Sequence, residues 1–341
     1  MKKDLIFNIE LTSKCNYLCS ICPHRYYQFS NKNIEIKTFI KFTERLLEAG
    51  KDFKIREIIN SGYGETFLHD NLKLLFFIYK DFKIQFKRKF NYTPKISIVT
   101  NASQITKEKL NHINQSNDIL KISFPTCNVN NYSKITNVNK ELGKDCCRKV
   151  KHNIRLCMNN VKDIRFHISP PTIESFNDLE NTILYLIETS IIANRKNLDI
   201  VIFPNASNRA GNITVNHDQN VYKYIKKYNN KIFSGLKINI STEFKVFYPN
   251  FRSVIFTLTK KFPCFWRHGS LSMDIDGNYR HCINDTFCEN KIGNINNKSI
   301  KKVVKEINYM GKLPHCDLCN QHPAKIENKI LNFICHLNKI T

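Results

Sequence analysis

The sequence predicts an α/β fold built around a parallel sheet, because short β-rich runs alternate with helical patterns over the first 205 residues. The six candidate strands are rich in β-branched and aromatic residues, and they lie at residues 5–12, 57–61, 95–101, 120–125, 163–169 and 198–204. Helical patterns lie between them, at residues 36–48, 70–80, 107–115, 140–158 and 177–195. Such an alternation favours right-handed crossovers, so we expect a partial or full β/α barrel with its site at the carboxyl ends of the strands.

The chain divides into three predicted segments, which are residues 1–205 for the barrel, 206–262 for a bridging segment and 263–341 for a small C-terminal α+β domain. The bridging segment breaks the βα rhythm with an opening rich in Asn and Gly. In the C-terminal domain, residues 270–275 and 278–282 are predicted strands, and Asp276-Gly277 between them is a strong hairpin-turn signal. The hairpin is expected to bring the cysteines that flank it toward one end.

The composition favours a globular cytoplasmic protein of 341 residues. No apolar run approaches the roughly 18 to 20 residues of a membrane span, and Asp4, Asn8 and Glu10 interrupt the apolar stretch that a signal peptide would need. The formal net charge of +24 would by itself suggest nucleic acid or an anionic surface. The lysines accompany many Asn, Ile, Phe and Tyr residues, a composition that fills solvated faces, so we expect neither nucleic acid nor a membrane as partner.

The 13 cysteines indicate metal or cluster binding, because disulfides are rare in a reducing compartment. The first predicted strand runs into Cys15, Cys19 and Cys22, a C-x3-C-x2-C spacing on one loop. Three thiolates on so tight a loop can bind three irons of a [4Fe-4S] cluster, and the missing fourth ligand leaves one iron open. Electron-carrier ferredoxins use a C-x2-C-x2-C-x3-C-P run instead, and structural zinc generally needs a fourth ligand, which the neighbouring sequence lacks.

This loop resembles the signature of the radical S-adenosylmethionine (SAM) superfamily, in which the same spacing follows the first strand of a partial (β/α)6 barrel of the TIM type. The resemblance extends to the end of the second strand, where Gly62, Gly64 and Glu65 form a Gly-x-Gly-Glu segment. In the family such a segment contacts the amino group of SAM. The resemblance further implies that Asn101 and Ser123, at the ends of the third and fourth strands, contact the methionyl or ribose groups of SAM.

A second set of cysteines lies in the C-terminal domain, namely Cys264, Cys282, Cys316 and Cys319. Four thiolates can bind either zinc or a fully ligated [4Fe-4S] cluster, and spacing alone does not decide between them. The pattern resembles the SPASM and Twitch extensions of radical SAM enzymes. Because a C-x2-C-x5-C-x3-C run is missing, it is similar to the shorter Twitch form with one auxiliary cluster. Asp285, just beyond Cys282, is a candidate catalytic base.

The resemblance implies an enzyme that cleaves SAM reductively to a 5'-deoxyadenosyl radical and abstracts a substrate hydrogen. An auxiliary cluster would accept the electron left on the substrate, so we expect net two-electron oxidation of a small polar substrate such as a sugar or aminocyclitol. A flavodoxin or ferredoxin is the expected reductant. Two alternatives stay open: a ribosomal peptide maturase that forms thioethers, epimers or crosslinks, and a zinc-ribbon protein that binds nucleic acid. The second leaves the first cysteine loop unexplained.

Overall fold

The structure is a computed structural model, and it describes residues 2–116, 118–138, 140–169, 173–203, 205–207, 214–216, 218–242, 255, 264, 268–280, 282, 285 and 291–310. The strands in these residues are β1 (Lys3–Ile9), β2 (Phe53–Asn60), β3 (Lys95–Thr100), β4 (Ile119–Ser123), β5 (Ile164–Ile168), β6 (Asn197–Ile202), β7 (Asn205–Ser207), β8 (Thr214–Asn216), β9 (Ile232–Phe233), β10 (Leu236–Thr242), β11 (Ser270–Met273), β12 (Asn278–Arg280) and β13 (Lys291–Asn294). The α-helices are α1 (Ile36–Ala49), α2 (Leu72–Phe90), α3 (Lys107–Ser116), α4 (Val129–Thr136), α5 (Lys140–Asn160), α6 (Ile173–Asn177), α7 (Leu179–Ile192), α8 (Asp218–Tyr228) and α9 (Ile300–Ile307).

One large sheet organises the molecule, in the strand order β13-β12-β11-β1-β2-β3-β4-β5-β6-β10-β9. The run from β11 to β10 in this order is parallel throughout. Antiparallel strands flank it, with β12 and β13 at one edge and β9 at the other. The predicted α/β class with a mostly parallel sheet is therefore confirmed.

The six strands and five helices predicted for the first 205 residues are present as β1 to β6 and as α1, α2, α3, α5 and α7. Helix α2 is longer than predicted because the basic run near its end continues the helix. Lys87, Arg88 and Lys89 lie in its last turn, where cations interact favourably with the helix dipole, and Asn91 ends it at a left-handed φ of 59°. No helix in the described part of the chain is long and apolar enough to cross a bilayer.

The sheet is wider than the sequence predicts by one parallel strand at each edge. Strand β10 lies beside β6, so the segment predicted to break the rhythm adds a further strand, with α8 before it. Strand β11 lies beside β1, so the C-terminal hairpin extends the same sheet. The pairing of Ile6 with Ser270 joins distant parts of the chain, which no local pattern reports. The boundaries of the three segments stay a prediction.

The helix-covered face of the sheet carries the apolar core. Alternate residues of the strands point into it, among them Phe7 of β1, Ile98 of β3 and Ile122 of β4, all fully buried. Helix α1 contributes Phe39 and Phe42, and the ring centroids of Phe7 and Phe42 lie 4.9 Å apart. This burial of apolar area is the main driving force for packing the helices onto the sheet.

The opposite face, here called the polar face, carries charged and polar side chains. Nζ of Lys121 in β4 lies 2.6 Å from Oε1 of Glu57 in β2, and the hydroxyl of Ser97 in β3 donates to the same oxygen. Arg165 of β5 is in register with Lys121, and Asp199 of β6 is in register with Arg165. Charged side chains of β2, β4, β5 and β6 therefore lie near one another on the polar face, with the Ser97 hydroxyl of β3 among them.

The predicted C-terminal hairpin is confirmed in β11 and β12. The amide of Gly277 donates to the carbonyl of Asp274 at 3.1 Å, and Gly277 has a φ of 81° that favours glycine. The Asp274 carboxylate accepts from the amide of Asn278 at 2.8 Å, which stabilises the turn from inside. The turn lies at the carboxyl edge of the parallel sheet, because β11 runs parallel to β1.

Replacing Lys121 by Met should lower the free energy of unfolding by about 3–5 kcal/mol at neutral pH, because it leaves Glu57 as a buried charge without its cation. Burial alone would raise the pKa of Glu57, but Lys121 and Ser97 outweigh burial and lower the pKa. Urea denaturation measures the loss. The double variant Glu57→Gln/Lys121→Met should regain most of it. A single variant as stable as the wild type would show that the pair carries no structural role.

Candidate functional site

The loop between β1 and α1 is closed at its base by backbone hydrogen bonds. The amide of Ile34 donates to the carbonyl of Leu11 at 2.8 Å, and the amide of Ser13 donates to the carbonyl of Lys32 at 2.9 Å. These bonds fix both ends of a loop that begins where β1 leaves the sheet at its carboxyl edge. We call it the cysteine loop, because it carries the first three cysteines of the chain.

The three thiols of the cysteine loop lie close together. The amide of Cys22 donates to the carbonyl of Cys19 at 2.9 Å, and a 3-10 turn, Pro23–Arg25, follows directly. The amide of Ser20 donates to the carbonyl of Ile135 at 2.8 Å, so the loop rests on the last turn of α4. All three thiols are half-buried, and repulsion from the other thiolates of the loop helps to raise the pKa of Cys15 and the pKa of Cys19.

Burial favours the protonated form of the Cys15 and Cys19 thiols when no metal is bound. Burial raises the pKa of Cys15 to about 12, and the Glu65 carboxylate and the Cys22 thiolate add to the shift. Burial also raises the pKa of Cys19. Iron binds the thiolate form, so assembly of a cluster on this loop must release protons.

The segment Gly62-Tyr63-Gly64-Glu65 follows β2, and we call it the glycine segment. It lies in backbone contact with the cysteine loop. A Cβ atom at Gly64 would lie 2.0 Å from the carbonyl oxygen of Thr12, so only glycine permits this approach. The amide of Glu65 donates to the carbonyl of Lys14 at 2.7 Å. The structure thus brings the two predicted motifs together at the carboxyl edge of β1 and β2.

The carboxylate of Glu65 is buried and bonded to the chain around it. Its Oε1 accepts from the hydroxyl of Thr100 at 2.7 Å and from the amide of Phe67 at 3.1 Å, and its Oε2 accepts from the amide of Asn101 at 2.7 Å. Burial raises the pKa of Glu65, and these hydrogen bonds oppose the shift. Glu65 therefore ties the end of β3 to the glycine segment, and its contact with SAM stays a prediction.

The other two predicted cofactor residues also lie at this edge of the sheet. Nδ2 of Asn101 donates to Oδ1 of Asn16 in the cysteine loop at 3.1 Å. Nδ2 of Asn16 donates in turn to the hydroxyl of Ser103 at 2.9 Å, and that hydroxyl donates to Oδ1 of Asn101 at 2.6 Å. Ser123 is half-buried at the end of β4, in register with His167 of β5. Asn101 thus borders the cysteine loop, and Ser123 lies one strand further along the sheet.

Glu10 is part of the site, although the sequence by itself identifies it only as a break in an apolar run. Its Oε1 accepts from the amide of Tyr63 at 2.8 Å, and its Oε2 lies 2.7 Å from Nη2 of Arg280 in β12. The one sequence signal for Glu10 is its position directly after a buried strand, because a carboxylate that is buried there needs a charged or hydrogen-bonding partner. Nothing in the local sequence identifies that partner as Arg280.

Two of the four predicted auxiliary ligands lie in the described part of the chain. Cys264 precedes β11 and Cys282 follows β12, so both lie at the end of the hairpin remote from its turn, and both are buried. Asp285, the predicted base, is also buried, and its amide donates to the carbonyl of Cys282 at 3.1 Å. Cys316 and Cys319 lie outside the described residues.

The donor set of the cysteine loop fits a [4Fe-4S] cluster with three protein ligands. Within the described ranges, no three His, Cys, Asp or Glu side chains converge on a point that a single metal ion could occupy. A cubane does not need such convergence, because each of its thiolate ligands binds a different iron. A profile of the radical SAM superfamily matches residues 9–186, which is over half of the chain. The chain therefore belongs to the radical SAM superfamily, whose members are enzymes that use a [4Fe-4S] cluster and SAM.

Solved structures share this fold. SuiB of Streptococcus suis, bound to the precursor peptide SuiA, is 15% identical with a TM-score of 0.61, over 94% of this chain and 70% of that chain. Native anSMEcpe with bound AdoMet is 16% identical with a TM-score of 0.56, over 92% of this chain and 86% of that chain. At such identities the similarity concerns the fold alone. A search of curated protein sequences finds no significant match.

Gly64→Ala should reduce iron binding and 5'-deoxyadenosine formation to about a tenth of the wild-type level or less, the usual scale for losing a group that supports a metal site. The comparison variant is Gly62→Ala, whose Cβ would meet Cγ of Glu10 at 2.6 Å, so it displaces a side chain and leaves the backbone contact with Thr12 in place. At Gly64 the obstacle is a backbone carbonyl, so the loss should be larger. Iron and product analysis after anaerobic reconstitution measures the loss in both variants. Equal losses would contradict the conclusion that the approach of Gly64 to the Thr12 carbonyl shapes the site.

Proposed function

We propose that the chain is an enzyme that cleaves SAM reductively at a [4Fe-4S] cluster in order to oxidise a small polar substrate. The cluster ligands are Cys15, Cys19 and Cys22, and the residues that contact SAM are Gly62, Gly64, Glu65, Asn101 and Ser123. The observation that carries the proposal is the backbone contact between the cysteine loop and the glycine segment. With cluster and SAM bound, one-electron reduction yields methionine and a 5'-deoxyadenosyl radical that abstracts a substrate hydrogen.

The polar face supplies the surface on which the substrate lies. Asn8, Ser97 and Lys121 on this face are almost fully buried, although the helices cover the opposite face. A flat sheet would leave such residues in water, so their burial supports a sheet curled into a partial (β/α)6 barrel with the polar face inside. The chain's part in the reaction is then to exclude water and to hold the substrate carbon beside the SAM site.

We further propose that Cys264, Cys282, Cys316 and Cys319 bind a single auxiliary [4Fe-4S] cluster in a Twitch-like C-terminal domain. The hairpin supports this, because its two flanking cysteines lie at one end. That end is remote from the carboxyl edge of the sheet, so the polar face lies between the cysteine loop and the pair formed by Cys264 and Cys282. A fully ligated cluster there would accept the electron left on the substrate. Asp285, held beside Cys282, would take the substrate proton.

The chemistry of the polar face favours a small polar substrate such as a sugar or an aminocyclitol. Lys121, Arg165 and Asp199 are in register on this face, and Ser123 and His167 lie two residues further along their strands, toward the carboxyl edge. Convergent polar groups of this kind suit hydroxyl and amino groups. Modification of a ribosomal peptide is the alternative, and the identity of the oxidised product decides between them. A flavodoxin or ferredoxin in the cytoplasm would supply the electrons.

Superfamily membership weighs against the zinc-ribbon hypothesis, because the matched residues 9–186 include the first cysteine loop. Under that hypothesis the cysteine loop has no role. Metal analysis of anaerobically purified protein separates the two hypotheses, since zinc without iron would end the proposal.

Cys19→Ala should abolish 5'-deoxyadenosine formation under reducing conditions, because two thiolates cannot hold the first cluster. The wild type should bind about eight irons per chain as two cubanes, and the variant about four. Cys157→Ala is the matched control, since Cys157 is a buried cysteine of helix α5 and is not part of the cysteine loop. Wild-type product formation by Cys19→Ala would defeat the assignment.

Cys282→Ala should bind about four irons per chain and still cleave SAM, because the first cluster keeps its ligands. Its oxidised product should disappear, since the electron acceptor is lost while the radical still forms. Mass spectrometry of the reaction mixture and iron analysis provide the two readouts. Full retention of iron in this variant would remove Cys282 from the ligand set.

A further inference from the structure

A column of side chains connects the C-terminal hairpin with both loops of the site. The guanidinium of Arg280 in β12 lies 5.3 Å from the ring centroid of Tyr63, which separates the two glycines of the glycine segment. The centroid of Tyr63 lies 5.2 Å from that of Phe29. Phe29 stacks on His24 at 4.3 Å, and His24 follows the third cysteine by two positions. The column therefore runs from β12 through the glycine segment into the cysteine loop.

A buried ion pair holds the hairpin end of this column. Arg280 and Glu10 are 7% and 3% exposed, and their charged atoms lie 2.7 Å apart. The second oxygen of Glu10 accepts from the amide of Tyr63 at 2.8 Å. The pair thus contacts Tyr63 twice, through its backbone and through its ring. A cation over an aromatic ring and a charge-assisted hydrogen bond both restrict direction as well as distance.

The space around Gly62 shows how closely this pair fits the glycine segment. A Cβ atom at Gly62 would lie 2.7 Å from Oε1 of Glu10, so the carboxylate occupies the room that a side chain would take. Loss of Arg280 would leave the Glu10 charge buried without its cation, a state that favours water entry and movement of the carboxylate. The segment bonded to Glu10 would move with it.

We propose that Arg280, acting with Glu10, is a positioning residue that sets the glycine segment for SAM binding. This inference rests on the proposed function, which assigns SAM to that segment. It gives the C-terminal hairpin a role in the SAM site that is separate from cluster binding by the cysteines around it. The affinity for SAM then depends on a residue 270 positions away in sequence from its partner.

The test compares the dissociation constant of SAM in four variants of the reconstituted full chain. Three are Arg280→Met, Glu10→Gln and the double variant. The fourth, Lys301→Met, is the matched control, because Lys301 forms a different ion pair between the C-terminal region and the rest of the chain, with Asp52 at 2.8 Å. Anaerobic equilibrium dialysis with labelled SAM gives the dissociation constants, and iron per chain reports on cluster content.

Each single variant should weaken SAM binding about tenfold or more at wild-type iron content. The double variant should bind SAM at least as tightly as the single variant with the lower affinity, because the two residues act as a unit. Lys301→Met should stay within about twofold of the wild type, as expected for an exposed ion pair. If the ion pair had only a structural role, the Arg280 and Glu10 variants would be less stable, but their affinity for SAM would not fall in this non-additive way.

Unchanged SAM affinity in Arg280→Met, or additive effects in the double variant, would overturn the positioning role. If Arg280→Met fails to retain iron, Glu10→Gln carries the test, because glutamine keeps an acceptor for the Tyr63 amide. Unchanged affinity in that variant overturns the proposal as well. A wild-type chain that binds iron but no SAM would instead defeat the proposed function itself.

Discussion

The backbone contact at Gly64 is the constraint on which the rest of the site depends. Two loops leave neighbouring parallel strands at the same edge, and they approach so closely that no side chain fits between Gly64 and the Thr12 carbonyl. Once that approach is made, Glu65 can bond to the end of β3, and Asn101 can reach Asn16. A single glycine thus determines the relation between the thiols and the residues proposed to bind SAM.

The two faces of the sheet explain how one fold combines a stable core with reactive chemistry. One face buries aromatic and branched side chains under the helices, and this supplies the stability. The other buries charges, which is tolerated only because Lys121 pairs with Glu57 and Arg280 pairs with Glu10. Such pairs add little net stability, so their value lies in the fixed positions that they give to polar groups on the face proposed to hold the substrate.

The sequence predicted those parts of the fold that local patterns encode. Strands β1 to β6 are short apolar runs closed by turns, and the thiols of the cysteine loop share one spacing motif, so both could be found without a structure. The parallel pairing of β11 with β1 and the ion pair of Arg280 with Glu10 join residues that are far apart in the chain. No periodicity reports such contacts. Strand β10 was missed because the Asn- and Gly-rich residues before it hide the continuing βα rhythm.

The proposed function requires one cluster iron that the protein leaves unligated and that SAM occupies. Electron-nuclear double resonance on the reduced enzyme, with SAM labelled by 15N at its amino group, probes that iron directly. Hyperfine coupling between the label and the cluster is the predicted result. Coupling to a protein nitrogen in its place, or a fourth cysteine ligand on that iron, would contradict the account.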